Sequence, residues 1–350
     1  MDSRSWMRLA AEPEAHRLPP ALAARDPMGG RDIGWVTQMR PFVQHFSRPG
    51  EVVFDPFAGA GTTLLAARLE GRDALGCEVD AARMALIGER FAQLDLAPPR
   101  VLPASCDTLA GDALPPFDLC LTSVPYFGCD WPGGEAAPAQ LYASDSYAAH
   151  LAGLRSVFHR VRERLPEGGF CIAMAENLRL GGRTLPLAFD LARLLGSLFV
   201  LQEERLIVYE RGAPQPLAAF DTRTDRSHEY ALVCRKQRAA VDLPATAALL
   251  ESLRAEGHRF TLYGSFARWL HDPASVTPAD ADIRVDAGDA ALGALLASLA
   301  GRGFALQSWG EPVALPLVAA LYRGRHYFRA ERIDRQGALV RLDIGCDVLN

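Results

Sequence analysis

Residues 51–65 read E-V-V-F-D-P-F-A-G-A-G-T-T-L-L. Val52, Val53 and Phe54 form a short unbroken apolar run, the pattern of a strand covered on both faces. Asp55 and Pro56 end it, small residues turn the chain, and Thr62 opens a stretch with apolar side chains at helical spacing. Gly59 and Gly61 let the backbone come close to a ligand and adopt dihedrals that side-chained residues resist. A strand that enters a helix through such a turn is half of a β-α-β unit.

The pattern repeats outward. ALGCEV (74–79), FDLCLT (117–122) and GFCIAMA (169–175) are further buried-strand runs, separated by helix-length segments such as AARMALIGERFAQL. This alternation predicts α/β architecture, a doubly wound, Rossmann-like parallel sheet covered by helices. RLIVYE (205–210) and HEYALVCRK (228–236) predict a terminal antiparallel hairpin. The small, polar QRAAVDLPATA (237–247) reads as a linker. Beyond it, FTLY (260–263), DADIRV (280–285), a helix near 289–301, FALQS (304–308) and ALVRLDI (338–344) predict a smaller α+β domain over 248–350. Residues 1–29 form an N-terminal extension on this reading, and 30–236 the larger domain.

The chain has 350 residues, and at roughly 150 residues per domain this agrees with two units. Hydrophobic residues make up 49% and charged residues 23%, which excludes a disordered or collagen-like chain. No apolar run is long enough to span a bilayer, and the N-terminus lacks the apolar core of a signal peptide, so a cytoplasmic protein without a membrane partner is expected. The net charge of -5 means that nucleic acid must be met by a local patch rather than by bulk charge. Lys236 is the single lysine, which removes a Walker A mechanism. Seven cysteines without a C-x-x-C pair indicate reduced, mostly buried thiols. His150 and His159 are expected on a helix surface and His228 at a strand edge, none at metal-ligand spacing.

Two further carboxylates sharpen the first turn. Glu78 lies at the end of the second strand, where it can accept both hydroxyls of a ribose. Asp107, after the third strand, is a candidate partner for an adenine amino group. The turn is D-P-F-A-G-A-G-T-T rather than the G-x-G-x-x-G of a dinucleotide dehydrogenase, and the fourth strand ends in T-S-V-P-Y. Residues 30–236 therefore resemble the S-adenosylmethionine-dependent DNA methyltransferases that make N4-methylcytosine or N6-methyladenine. The resemblance implies that Asp55, Pro56, Phe57, Gly59, Gly61, Thr62 and Thr63 bind S-adenosyl-L-methionine, with Glu78 and Asp107. It implies that Ser123, Val124, Pro125 and Tyr126 hold the target amine. An exocyclic amine is a poor nucleophile because its lone pair is delocalised into the ring. Ser123 Oγ and the Val124 carbonyl can accept its hydrogens, Pro125 stiffens the turn and Tyr126 can stack on the base. Val124 stands where the family carries proline, which keeps the carbonyl but lowers rigidity. Gly34, Trp35 and Thr37 occupy the place of the family's segment over the methionine part of the cofactor.

A second constellation lies near the C-terminus. Gly264 and Ser265 follow FTLY and open a helix, Asp280 and Asp282 stand two apart in a strand, and Asp343 lies in a later one. Residues i and i+2 of a strand share a face, so two carboxylates can meet one metal pair. This order resembles the compact nucleotidyltransferases of the DNA polymerase beta superfamily. The resemblance implies that Gly264 and Ser265 hold an NTP, that Asp280, Asp282 and Asp343 bind Mg2+, and that Asp343 activates the acceptor hydroxyl.

The combined expectation is methyl transfer to an amino group of a nucleic-acid base, DNA before RNA, with a fused nucleotidyltransferase-like module. The alternative is an RNA or small-molecule amino-methyltransferase whose C-terminal domain only binds. Candidate nucleic-acid contacts are Trp131 and Tyr142 in the loop 127–147, Arg211, Arg223 and Arg226 between the hairpin strands, and the arginines at 323, 325, 329, 332, 335 and 341.

Overall fold

The computed structural model describes residues 1–129, 137, 139–210, 215–222, 224, 227–236, 241–276, 278–285, 288–322, 327–333 and 339–346. The chain divides into two units, Met1–Gln237 and Arg238–Asn350. The first runs β1 (Trp6–Leu9), α1 (Pro20–Ala23), α2 (Val36–Phe46), β2 (Val52–Asp55), α3 (Thr62–Leu69), β3 (Asp73–Cys77), α4 (Ala81–Gln93), β4 (Arg100–Leu102) and β5 (Leu119–Ser123). It continues through α5 (Tyr147–Arg164), β6 (Phe170–Ala175), a small hairpin of β7 (Leu178–Leu180) and β8 (Arg183–Leu185), α6 (Leu187–Leu198), β9 (Val200–Tyr209) and β10 (His228–Arg235).

Its eight-stranded sheet has the order β1-β9-β10-β6-β5-β2-β3-β4. Strands β6, β5, β2, β3 and β4 run parallel, while β10 is antiparallel to both β6 and β9. The apolar runs alternate between two cores, as strand pleating requires. Val53, Leu119, Leu121, Ile172 and Met174 pack toward α2, α3 and α4. Phe54, Cys120, Cys171 and Ala173 pack toward α5 and α6. Because both faces are covered, these strands carry no polar alternation.

Strand β2 lies between β3 and β5, with the chain returning to opposite sides of it. At such a reversal the helices on the two flanks diverge, and a crevice opens beyond the carboxyl ends of the strands. Asp55 and Ser123, the last residues of β2 and β5, border that crevice.

Residues 1–29 are not a separate extension. Strand β1 pairs parallel with β9 at the sheet edge, and Leu22 and Met28 are buried. The buried Glu12 accepts from the backbone N–H groups of Val36 (2.9 Å) and Thr37 (3.1 Å), capping α2, whose own flanking residue Trp35 makes no side-chain cap.

The second unit contains α7 (Leu243–Ala255), β11 (Thr261–Tyr263), α8 (Gly264–His271), β12 (Ala281–Val285), α9 (Gly288–Gly301), β13 (Ala305–Ser308), β14 (Glu311–Pro312), β15 (Tyr327–Ile333) and β16 (Leu339–Cys346). Residues 243–247 thus belong to a helix rather than to a linker, because Asp242 caps α7 through Ala245 N–H at 2.8 Å. Its six-stranded sheet, β11-β12-β16-β15-β13-β14, is antiparallel except for the β12–β16 pair. Leucines of α7 and α9 pack against β12, β15 and β16 in a single core.

Candidate active site

Asp55 is 3% exposed, and burial pushes its carboxyl up to about 6. Hydrogen bonds oppose that shift: Thr122 Oγ1 donates to Oδ1 at 2.6 Å and Phe57 N–H at 2.9 Å. Asp55 therefore ties the ends of β2 and β5 together while presenting a carboxyl to the crevice. The turn after it needs left-handed backbone at Gly59 (φ 53°) and Gly61 (φ 77°). Gly61 begins α3 so close to α4 that a Cβ would stand 3.1 Å from Cγ1 of Ile87.

Glu78 follows β3 and is 7% exposed. Its Oε2 accepts from Gly59 N–H at 2.8 Å and its Oε1 from Asp80 N–H at 2.9 Å, so the side chain is oriented before any ligand arrives. Burial raises it to about 7, against those bonds and the Arg83 charge. Arg83 is itself buried between Asp26 (3.0 Å) and Asp32 (2.8 Å), and Asp32 accepts from the Tyr142 hydroxyl at 2.6 Å. Burial works against the Arg83 charge, but Asp32 and Asp26 hold the guanidinium protonated.

On the other side of the crevice, Val124 is 3% exposed and its N–H donates to Met174 O at 3.1 Å. A proline there could not make that bond. The rigidity that the sequence departure costs at position 124 is recovered by packing and by this hydrogen bond. Tyr126 is pushed well above its ordinary value by burial and by the charges of Glu229 and Glu176, so its hydroxyl keeps its proton.

These groups line one cavity of about 240 Å³. Asp55, Pro56, Phe57, Gly59, Thr62, Thr63, Glu78 and all four residues Ser123 to Tyr126 reach it, as do Gly34 and Trp35. Gly61, Asp107 and Thr37 do not border it. Gly61 serves the helix approach, Thr37 is bonded to Glu12, and Asp107 is drawn aside by Ser105 Oγ, so that Ser105 is the residue of that segment at the cavity wall. His150 is fully buried rather than on a helix surface, its Nδ1 lying 3.1 Å from Leu141 O.

The sequence reading missed Arg31, Asp32, Arg83, Tyr209, Glu176 and Glu229, all at the cavity. Glu229 stands at the start of the HEYALVCRK strand, and the antiparallel direction expected of that strand would put its first residues at the open end of the sheet. The others carry no local signal. The cavity wall holds Asp32, Asp55, Glu78, Glu176 and Glu229 against Arg31 and Arg83, a balance that suits a cationic ligand. A ribose fits the preoriented Glu78 carboxylate, and the bare Gly59 Cα permits close approach of a nucleoside. S-adenosylmethionine carries both features and a sulfonium charge.

In the second unit, Gly264 (φ 70°) lies so close to Asp282 that a side chain at 264 would overlap the carboxylate. Tyr263 and Asp343 are register partners of Asp282 on either side. Gly264, Asp282 and Asp343 are therefore brought together, with Ser265 at the start of α8 and the buried Asp280 just before β12. Among the described residues, however, no three acidic, His or Cys side chains are grouped to hold a metal ion. Asp343 is engaged by Arg329 through two hydrogen bonds, 2.8 and 2.9 Å. The described arginines of the run are likewise engaged: Arg341 meets Glu331 across the strands at 2.7 Å and Arg332 covers the Phe304 ring. Arg323, Arg325, Arg335, Arg211, Arg223, Arg226 and Trp131 lie outside the described residues.

Residues 36–89, from α2 through most of α4, match the DNA methylase family model N6_N4_Mtase. The match includes Asp55 to Thr63 and Glu78 and stops short of Ser123. A curated protein of Escherichia coli (strain K12), "Putative methylase YubD", is 43% identical over 44 residues, 13% of this chain and 19% of that protein. The aligned region thus spans about a fifth of that relative's length. Among solved structures, TrmN from Thermus thermophilus is similar at 20% identity over 61% of this chain and 53% of that chain, with a TM-score of 0.40. Magnesium protoporphyrin IX methyltransferase from Synechocystis PCC 6803, solved with bound SAM, is similar at 11% identity over 57% of this chain and 77% of that chain, with a TM-score of 0.37.

Proposed function

We propose that the first unit is a methyltransferase that moves a methyl group from S-adenosylmethionine to an exocyclic amino group of a nucleic-acid base, DNA N4-cytosine or N6-adenine before RNA. One observation carries the reading: the Asp55–Gly59–Glu78 edge and the Ser123–Tyr126 turn border one cavity at the switch point of the sheet. The DNA methylase match over 36–89 supports the same chemistry for the first of these edges.

Glu78 would accept the ribose hydroxyls, Ser105 would meet the adenine end, and Trp35 with Gly34 would cover the methionine end. The cofactor, when bound, supplies an electrophilic methyl on a sulfonium. Ser123 Oγ and the Val124 carbonyl would accept the hydrogens of the target amine, which turns the nitrogen lone pair out of conjugation. Tyr126, kept neutral, offers a ring face for the base and a hydroxyl donor. Titration calorimetry with S-adenosylmethionine, followed by transfer of labelled methyl to DNA, RNA or metabolite extract, tests the reading. Absence of binding would sink it.

For the second unit we infer a nucleotidyltransferase-like fold that binds nucleic acid or nucleotide. The Arg329–Asp343 pair favours the non-catalytic version, since a carboxylate held by a guanidinium is a poor base for an acceptor hydroxyl. Labelling with NTP and Mg2+ decides between them; incorporation abolished by Asp282→Asn would establish a second transfer activity.

A further inference from the structure

The acceptor end of the cavity holds two carboxylates that the proposed reaction has not yet used. Tyr230 pairs with Ala175 across β10 and β6, so Glu229 and Glu176, one step further along each strand, fall side by side at the open edge of the sheet. Strand β5 adjoins β6 on its other side, with Ser123 opposite Met174. Three neighbouring strands thus deliver Ser123, Glu176 and Glu229 to one rim. All three border the cavity, and both carboxylates act electrostatically on Tyr126.

Glu229 is also braced. Its Oε2 accepts from Gln38 Nε2 at 2.7 Å, and Gln38 Oε1 accepts from the Tyr209 hydroxyl at 2.9 Å. Gln38 is 1% exposed on α2. A buried amide whose donor is turned to a carboxylate by a tyrosine on its other end holds that carboxylate in one rotamer. Two acidic groups at one rim repel each other, a standing cost that a cationic or N–H-rich partner removes.

We propose that Glu176 and Glu229 form an acceptor wall: they receive the N–H donors of the incoming amine and stabilise the positive charge that builds on its nitrogen, and so select an amino-bearing edge over a carbonyl edge. The proposal rests on the methyltransferase reading and names the chemistry of its substrate side. Each substrate N–H finds an acceptor in Ser123, the Val124 carbonyl or the wall, whereas a carbonyl oxygen would meet the carboxylate oxygens of the wall, which have no hydrogen to give it.

The test uses binding, so the substrate need not be known. Sinefungin carries a primary ammonium where S-adenosylmethionine carries its reactive methyl, whereas S-adenosylhomocysteine carries nothing there. The intact protein should prefer sinefungin, and Glu229→Gln and Glu176→Gln should each cut that preference by about tenfold, as for one charge-assisted hydrogen bond. The affinity for S-adenosylhomocysteine should stay within about twofold, which also reports that each variant is folded. If both variants bind S-adenosylhomocysteine and keep the full sinefungin preference, the wall is overturned while the methyltransferase reading stands. If the intact protein binds neither compound, both fall.

Discussion

Asp55 and Glu78 show how the site trades stability for ligand binding. Their ordinary values are 3.8 and 4.5, and burial raises them to about 6 and about 7. An acid whose folded value is raised is more protonated in the folded than in the unfolded chain between the two values. Its favourable contribution is therefore complete below the unfolded value and is lost as pH rises through the folded one. At pH 8 each group costs on the order of 3 kcal/mol relative to pH 3. Asp55→Asn, which keeps an acceptor for Thr122 and Phe57, should raise the unfolding midpoint in urea at pH 8 and leave it unchanged near pH 4. In the proposed role the Glu78 carboxylate is ionised to accept two ribose hydroxyls, so cofactor affinity should climb between pH 6 and 8. Calorimetry should find that slope absent in Glu78→Gln. In the second unit, Arg329 and Asp343 are 19% and 16% exposed, and loss of one leaves a poorly solvated charge. Asp343→Asn should cost about 2–3 kcal/mol in denaturant melts, and the double change Arg329→Met with Asp343→Leu much less. Equal losses would show that the pair is not electrostatically coupled.

At the scale of elements, the cavity is held by helix starts secured in different ways, α4 by its own flanking Asp80 and α2 from a distant segment. Helix α2 is capped by Glu12, 24 residues upstream of Val36. Glu12→Ala should destabilise the first unit by about 1–2 kcal/mol, since two backbone donors and the Thr37 hydroxyl lose their acceptor together. Glu12→Gln should recover part of that. Helix α3 depends on Gly61 in two ways, its left-handed φ and its contact with Ile87. Gly61→Ala should cost about 1–3 kcal/mol in urea melts, and the same change made on an Ile87→Ala background, which lacks the two contacting carbons, should cost less but keep the dihedral strain. Helix α4 is tied to the N-terminal segment by Arg83 between Asp26 and Asp32, so Asp32 is a structural part of the cavity wall and Asp26 buttresses Arg83 behind it.

Across the whole molecule, the sites divide between the units. Every residue bordering the cavity lies within Met1–Gln237. Hydrogen exchange with saturating S-adenosylhomocysteine should therefore slow amides in 55–63, 78–80 and 123–126 and leave those of 243–346 unchanged. Protection in the second unit would place part of the ligand site there. Among the described residues no helix is long and apolar enough to cross a membrane.

The strands of the parallel sheet were legible in the sequence because a strand covered on both faces has an apolar middle, as β2, β3, β5 and β6 do, with polar residues only at their ends. The Asp55–Thr63 turn and Glu78 were legible because glycine and carboxylate are needed there locally. Partners that meet across long chain separations were not. Nothing near Glu12 announces that it caps α2. Nothing near Arg329 announces that Asp343, on the neighbouring strand, pairs with it. Spacing along the chain determines which faces are buried and which turns are possible. Which charges remain to meet a ligand is decided only when distant strands come into register, because a carboxylate or guanidinium is neutralised by whatever the fold sets beside it.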